Sequence, residues 1–89
     1  MTAGTATPSV ASGSDIYFLF QSGAQSVTGF TGGSNGNVIS VYFGDANTTL
    51  DVGGDIHLSG GIDYNPPANT LMAFKNISGA WYEQSRVTY

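Results

Sequence analysis

His57 is the single histidine of the chain, and Ile56 and Leu58 flank it. An imidazole works as general base, nucleophile activator or metal ligand only with partners of the right type beside it. The chain has no cysteine, which excludes thiolate zinc sites and disulfides. It also has no Gly-x-Ser-x-Gly turn of the kind that exposes a nucleophilic serine. His57 is therefore expected to be a half-exposed structural residue. Asp45, Asp51, Asp55 and Asp63 are spread through glycine-rich turns. Two carboxyl groups held roughly 5–9.5 Å apart could hydrolyse a glycosidic bond, but aspartates in such turns ordinarily accept backbone N–H bonds. Asp45, Asn47 and Asp51 offer oxygen ligands for calcium, yet their spacing departs from the EF-hand loop. The expectation is a chain with no catalytic set, no metal and no cofactor.

The aromatic residues near the end carry a different chemistry. Trp81, Tyr82 and Tyr64 could stack on sugar rings, and with Asn65, Asn69 and Gln84 they would form a saccharide platform. The competing role for Trp81 is to plug the core or a subunit interface, its indole N–H satisfied locally, and this role is favoured. Glu83 and Arg86 stand three apart on a strand, so regular alternation sends them to opposite faces. Glu83 then needs a cross-strand or intersubunit partner, with Lys75 available to it, and Tyr82 and Arg86 lie on the face away from Trp81. Asn47-Thr48-Thr49 and Asn76-Ile77-Ser78 fit the N-glycosylation pattern, read here as chance.

These side chains must be positioned by a small, weakly charged chain. Its 89 residues form one domain, 40% apolar and only 9% charged. A chain of this size buries only about 60–65% of its unfolded surface, so its core is thin. The net charge is −4, with Lys75 and Arg86 the only cations. Neither nucleic acid nor an anionic membrane surface is an expected partner of so few cations. No run approaches the roughly 18 apolar residues of a membrane span. Residues 1–15 lack the basic start and apolar core of a signal peptide, so any release is expected by another route, such as lysis.

Residues 1–14 are small and polar and are expected to form a flexible arm before a single all-β domain at 15–89. Along 15–21, Ile16, Phe18 and Phe20 share one face and Tyr17 and Leu19 the other. Short strands are expected at 27–30, 37–43, 48–50 and 55–58. A closing hairpin pairs 69–75 with 80–86 across residues 76–79. No window has helical spacing. Double glycines at 32–33, 53–54 and 60–61 suit a β-helix-like coil, a β-roll or a small sandwich. Several strands are apolar on both faces, which a thin sheet without helices cannot cover alone. Tyr17, Leu19, Tyr42, Met72 and Phe74 are the expected interface residues; the alternative is a compact two-layer sandwich that covers both faces.

Taken in order, these segments are familiar. Val27-Thr28-Gly29-Phe30-Thr31-Gly32-Gly33 precedes a strand led by Gly36, and Phe43-Gly44-Asp45-Ala46-Asn47-Thr48-Thr49-Leu50 follows. Next come Asp55-Ile56-His57-Leu58-Ser59-Gly60-Gly61, Asn69-Thr70-Leu71 and Trp81-Tyr82-Glu83-Gln84-Ser85-Arg86. The succession, over residues 8–86, resembles the small β module at the ends of phage tail-spike and appendage proteins and of related pectate-lyase-like β-helix proteins. The ordered set carries the resemblance; no single motif is specific. Asp63-Tyr64-Asn65-Pro66-Pro67 departs from it as a more rigid connection.

The resemblance implies a folding, capping or oligomerising element at the end of a trimeric fibre or β-helix, in contact with other domains of a tail fibre or spike. It also implies that any sugar cleavage belongs to a long β-helix body that this sequence lacks. The expected product is a non-enzymatic homotrimeric module of a virion, extracellular after release. The alternative is a carbohydrate-binding module for bacterial surface glycans.

Overall fold

The structure, a computed structural model, describes residues 4–10 and 16–89. Its strands are β1 (Ile16–Leu19), β2 (Gln25–Val27), β3 (Val38–Phe43), β4 (Thr48–Leu50), β5 (Ile56–His57), β6 (Thr70–Ile77) and β7 (Ala80–Thr88). There is no helix among the described residues, and hence none long and apolar enough to cross a membrane. The all-β expectation holds.

A five-stranded sheet runs in the order β1-β3-β6-β7-β5, and β2 and β4 form a second, two-stranded sheet. Pairing is mixed: β1 with β3, β5 with β7, and β2 with β4 are parallel, whereas β3–β6 and β6–β7 are antiparallel. The β6–β7 hairpin turns through Ser78 and Gly79, whose φ angles are 54° and 91°. Positive φ at both central residues matches the twist of the flanking strands, and a glycine meets it without Cβ strain. β6 extends two residues further toward the turn than expected, to Ile77, while β7 begins at Ala80 as expected, leaving a two-residue connection.

Alternation along the strands decides the core. Ile39, Val41 and Phe43 of β3 and Met72 and Phe74 of β6 point inward and are buried, as are Tyr17 and Leu19 of β1 and Trp81 of β7. Val27 and Leu50 of the small sheet, with Val10, Phe30, Ile56 and Leu58, join them in one cluster. The Phe30 ring meets Phe74 and Trp81 at centroid distances of 5.3 and 5.8 Å.

This packing corrects the expected interface. Tyr17, Leu19, Met72 and Phe74 face the chain's own core, and only Tyr42 of that set lies on the outer side, half-buried. The uncovered face is the opposite one, where Ile16, Phe18 and Val38 stand exposed. Alternation identifies two faces but does not say which one the second layer covers.

The expected arm also needs correction over its described part. Residues 4–10 lie along the domain rather than apart from it. Val10 and Thr31 N–H groups donate to Thr31 and Pro8 carbonyls at 2.8 and 3.0 Å, and the Thr28 N–H donates to Ala6. Val10 is buried, and its carbonyl accepts the Tyr17 hydroxyl at 2.7 Å. The remaining arm positions, 1–3 and 11–14, lie outside the described residues.

Candidate functional site

The most elaborate polar arrangement stands on β7. The register of β6 against β7 is continuous from Ile77–Ala80 to Phe74–Glu83, then resumes at Ala73–Ser85, leaving Gln84 without a partner. Gln84 is a β-bulge, the one extra residue that breaks strict alternation. Residues directly opposite each other on antiparallel strands share a face. Glu83 stands opposite Phe74 and Arg86 opposite Met72, so both lie on the core side with Trp81.

The bulge overturns the expectation that Glu83 and Arg86 point apart. Arg86 Nε donates to Glu83 Oε2 at 2.6 Å and Nη2 to Oε1 at 2.7 Å, a bidentate charge-assisted pair. Lys75 instead stands opposite Tyr82. The Glu83 side chain is 3% exposed and that of Arg86 32%. Glu83 Oε1 also accepts the Ser59 N–H at 2.8 Å, tying the turn after β5 to β7. The guanidinium carbon of Arg86 lies 3.8 Å from the Tyr64 ring centroid, a cation–π contact that covers one ring face. Tyr64 is itself fixed by paired backbone bonds with Leu50, at 2.7 and 3.1 Å.

These contacts move the charges in matching directions. The hydrogen bond from Arg86 holds the Glu83 carboxyl below its ordinary value; burial opposes this and the Ser59 N–H assists it. The same pairing raises Arg86. Around the pair lies an open polar depression of about 530 Å³ lined by Ser59, Glu83, Gln84, Ser85 and Arg86.

The expected saccharide platform is not assembled. Trp81 is fully buried and its indole N–H donates to the Phe30 carbonyl at 3.1 Å, which is the favoured core role. Tyr82 projects from the other face and stacks on His57, with centroids 4.4 Å apart and rings 12° from parallel. Asn65 is spent on the Ala46 and Thr48 carbonyls. Asn69, at φ 66°, accepts the Tyr42 hydroxyl at the far end of β6. Of the six residues, Gln84 lines the depression and Tyr64 supports it through Arg86.

The other candidates have structural duties. Asp45 accepts the Gln21 and Asn47 N–H groups, Asp51 that of Gly53 and Asp63 that of Val52. Among the described residues no cluster of three or more His, Asp or Glu side chains could hold a metal. His57 is exposed, more so than expected. Asn76 of the second glycosylation pattern is buried.

Sequence reasoning missed the joint role of Ser59, Glu83, Ser85 and Arg86. The available signal was the run Glu83-Gln84-Ser85-Arg86, four polar residues where a one-sided strand should show an apolar one at every second position. Comparison with protein families, characterised proteins and solved structures finds no match to this chain.

Proposed function

We propose that this chain is a non-enzymatic structural module that assembles with two further copies of itself through the outer face of its five-stranded sheet. The observation that carries the reading is an uncovered apolar row. In register across the sheet run Phe18, Tyr42, Leu71 and Val87. Phe18 is 56% and Val87 48% exposed. Ile16, Val38 and Ile77 extend the same face, and Phe20 stands exposed just beyond β1. Exposed apolar surface of this continuity is a mark of association.

Charge placement supports self-association. Asp45, Asp51, Asp55 and Asp63 lie outside the five-stranded sheet and Glu83 points to its core side. Lys75 is the charged residue within the outer face, between Val38 and Tyr82. Chains of net charge −4 can therefore meet there without opposing described carboxylates. The number three, the role as a cap or assembly element beside other fibre domains, and a place in a phage tail fibre, spike or similar appendage rest on the order of motifs. On that reading the protein is virion-borne and extracellular after release. The stacking platform for bacterial glycans finds no support in the buried Trp81 or the dispersed Asn65 and Asn69.

Sedimentation velocity and light scattering test the proposal. A trimer is expected at micromolar concentration, and Phe18→Asp with Val87→Asp should convert it to a folded monomer. A wild-type chain that is folded and monomeric at that concentration overturns the reading.

A further inference from the structure

We infer that the depression beside the Gln84 bulge is a binding site for a neutral, polyhydroxylated small molecule, such as a single pyranose ring. Three observations carry the inference, and none depends on the apolar row Phe18, Tyr42, Leu71 and Val87. First, the site is built. The Glu83 side chain is almost wholly buried, and hydrogen bonds from Arg86 and Ser59 occupy both of its oxygens. Arg86 is gripped along one edge by that carboxylate and on one face by Tyr64, yet remains 32% exposed. A guanidinium held on two sides loses little freedom when its remaining N–H groups meet an acceptor.

Second, the lining offers donors and acceptors in mixture. Ser59, Ser85 and Gln84, which carry two hydroxyls and an amide, line the same depression as Arg86. Each of the three can both give and accept a hydrogen bond, as can every hydroxyl of a sugar. Ser59 holds Glu83 through its backbone N–H, leaving its hydroxyl outside that contact. The bulge releases Gln84 from the ladder and places it at the rim.

Third, electrostatics select a neutral ligand. The Glu83–Arg86 pair cancels its own charge, and Arg86 is one of only two cations in a chain of net charge −4. An anion would have to compete with Glu83 for the guanidinium against the field of the whole molecule. An apolar ligand would strand the polar lining without partners.

The test is a titration of the full chain, followed by amide chemical shifts, with glucose, galactose, rhamnose and N-acetylglucosamine at millimolar concentration and glucuronate as the anionic arm. At least one neutral sugar is expected to give saturable shifts centred on Ser59 and residues 84–86. Gln84→Ala and Ser59→Ala, which leave every Glu83 contact in place, should each weaken that binding several-fold while the remaining spectrum is unchanged. No saturable shift with any neutral sugar overturns the inference. So does preferential binding of glucuronate, or a response centred on His57 and Tyr82. A monomer that binds the sugar would refute the assembly reading while sustaining this one.

Discussion

The pair Glu83–Arg86 is where single residues matter most. The Glu83 side chain is nearly fully buried, and its carboxyl is held below the ordinary value of 4.5 by its Arg86 hydrogen bonds. A carboxyl whose folded pKa is depressed stabilises the fold above its unfolded pKa. That contribution is lost as pH falls through the folded value. Stability should therefore be level near neutrality and decline below about pH 4.5. Glu83→Gln should flatten this decline and cost on the order of 1–2 kcal/mol at neutral pH, a charge-assisted bond being exchanged for a neutral one. Urea unfolding of both proteins across the acid range checks the sign. An unchanged acid limb in the variant would show that the pair is idle.

At the scale of elements, the bulge decides which side chains meet. In β7 a regular strand would put Trp81 and Glu83 inward but Arg86 outward, and the unpaired Gln84 reverses that parity. Removing Gln84 should leave Glu83 and Arg86 inward, because the strand then resumes simple alternation with Ser85 facing out. Deleting Gln84 is thus expected to be tolerated, with a cost near 1 kcal/mol and a Tm change of about 4–8 °C for a domain of this size. Deleting Ala73 from β6 should abolish folding, since it turns Met72 or Phe74 out of the core. Thermal melts followed by circular dichroism separate the two. Much of this level was legible beforehand. The 39-41-43 alternation marked β3, and Asn76-Ile77-Ser78-Gly79 marked the hairpin, because both are local signals. The parallel pairings of β1 with β3 and β5 with β7 join segments with no turn between them, so no neighbouring residues announce them. Face choice was equally hidden: Tyr17 and Phe18 are similar in apolar bulk, and only the layer containing Val10, Val27 and Leu50 makes the Tyr17 side the inner one.

For the whole molecule, the outer face of the five-stranded sheet leaves Ile16, Phe18, Val38, Ile77 and Val87 exposed beside a thin core. The assembly proposed above would tie stability to protomer concentration, and its surface should tolerate few changes of shape. Phe20 shows where. Its exposed ring lies over Gly44, so that a Cβ at position 44 would come within 2.0 Å of the ring atom Cε1. Because the ring borders solvent, it can swing aside rather than strain the backbone. Gly44→Ala should consequently leave the protomer fold intact but remove an aromatic shelf beside the Phe18–Tyr42 edge contact, whose centroids are 5.9 Å apart. Flat, pre-placed aromatic groups contribute disproportionately to association. The expected outcome is an association constant reduced about tenfold, roughly 1.4 kcal/mol, with the far-ultraviolet spectrum unchanged. Sedimentation equilibrium over a concentration series measures it. An unaltered constant would place the contact surface away from Phe20, and a collapse of the folded spectrum would mean that the ring supports the protomer rather than its partners.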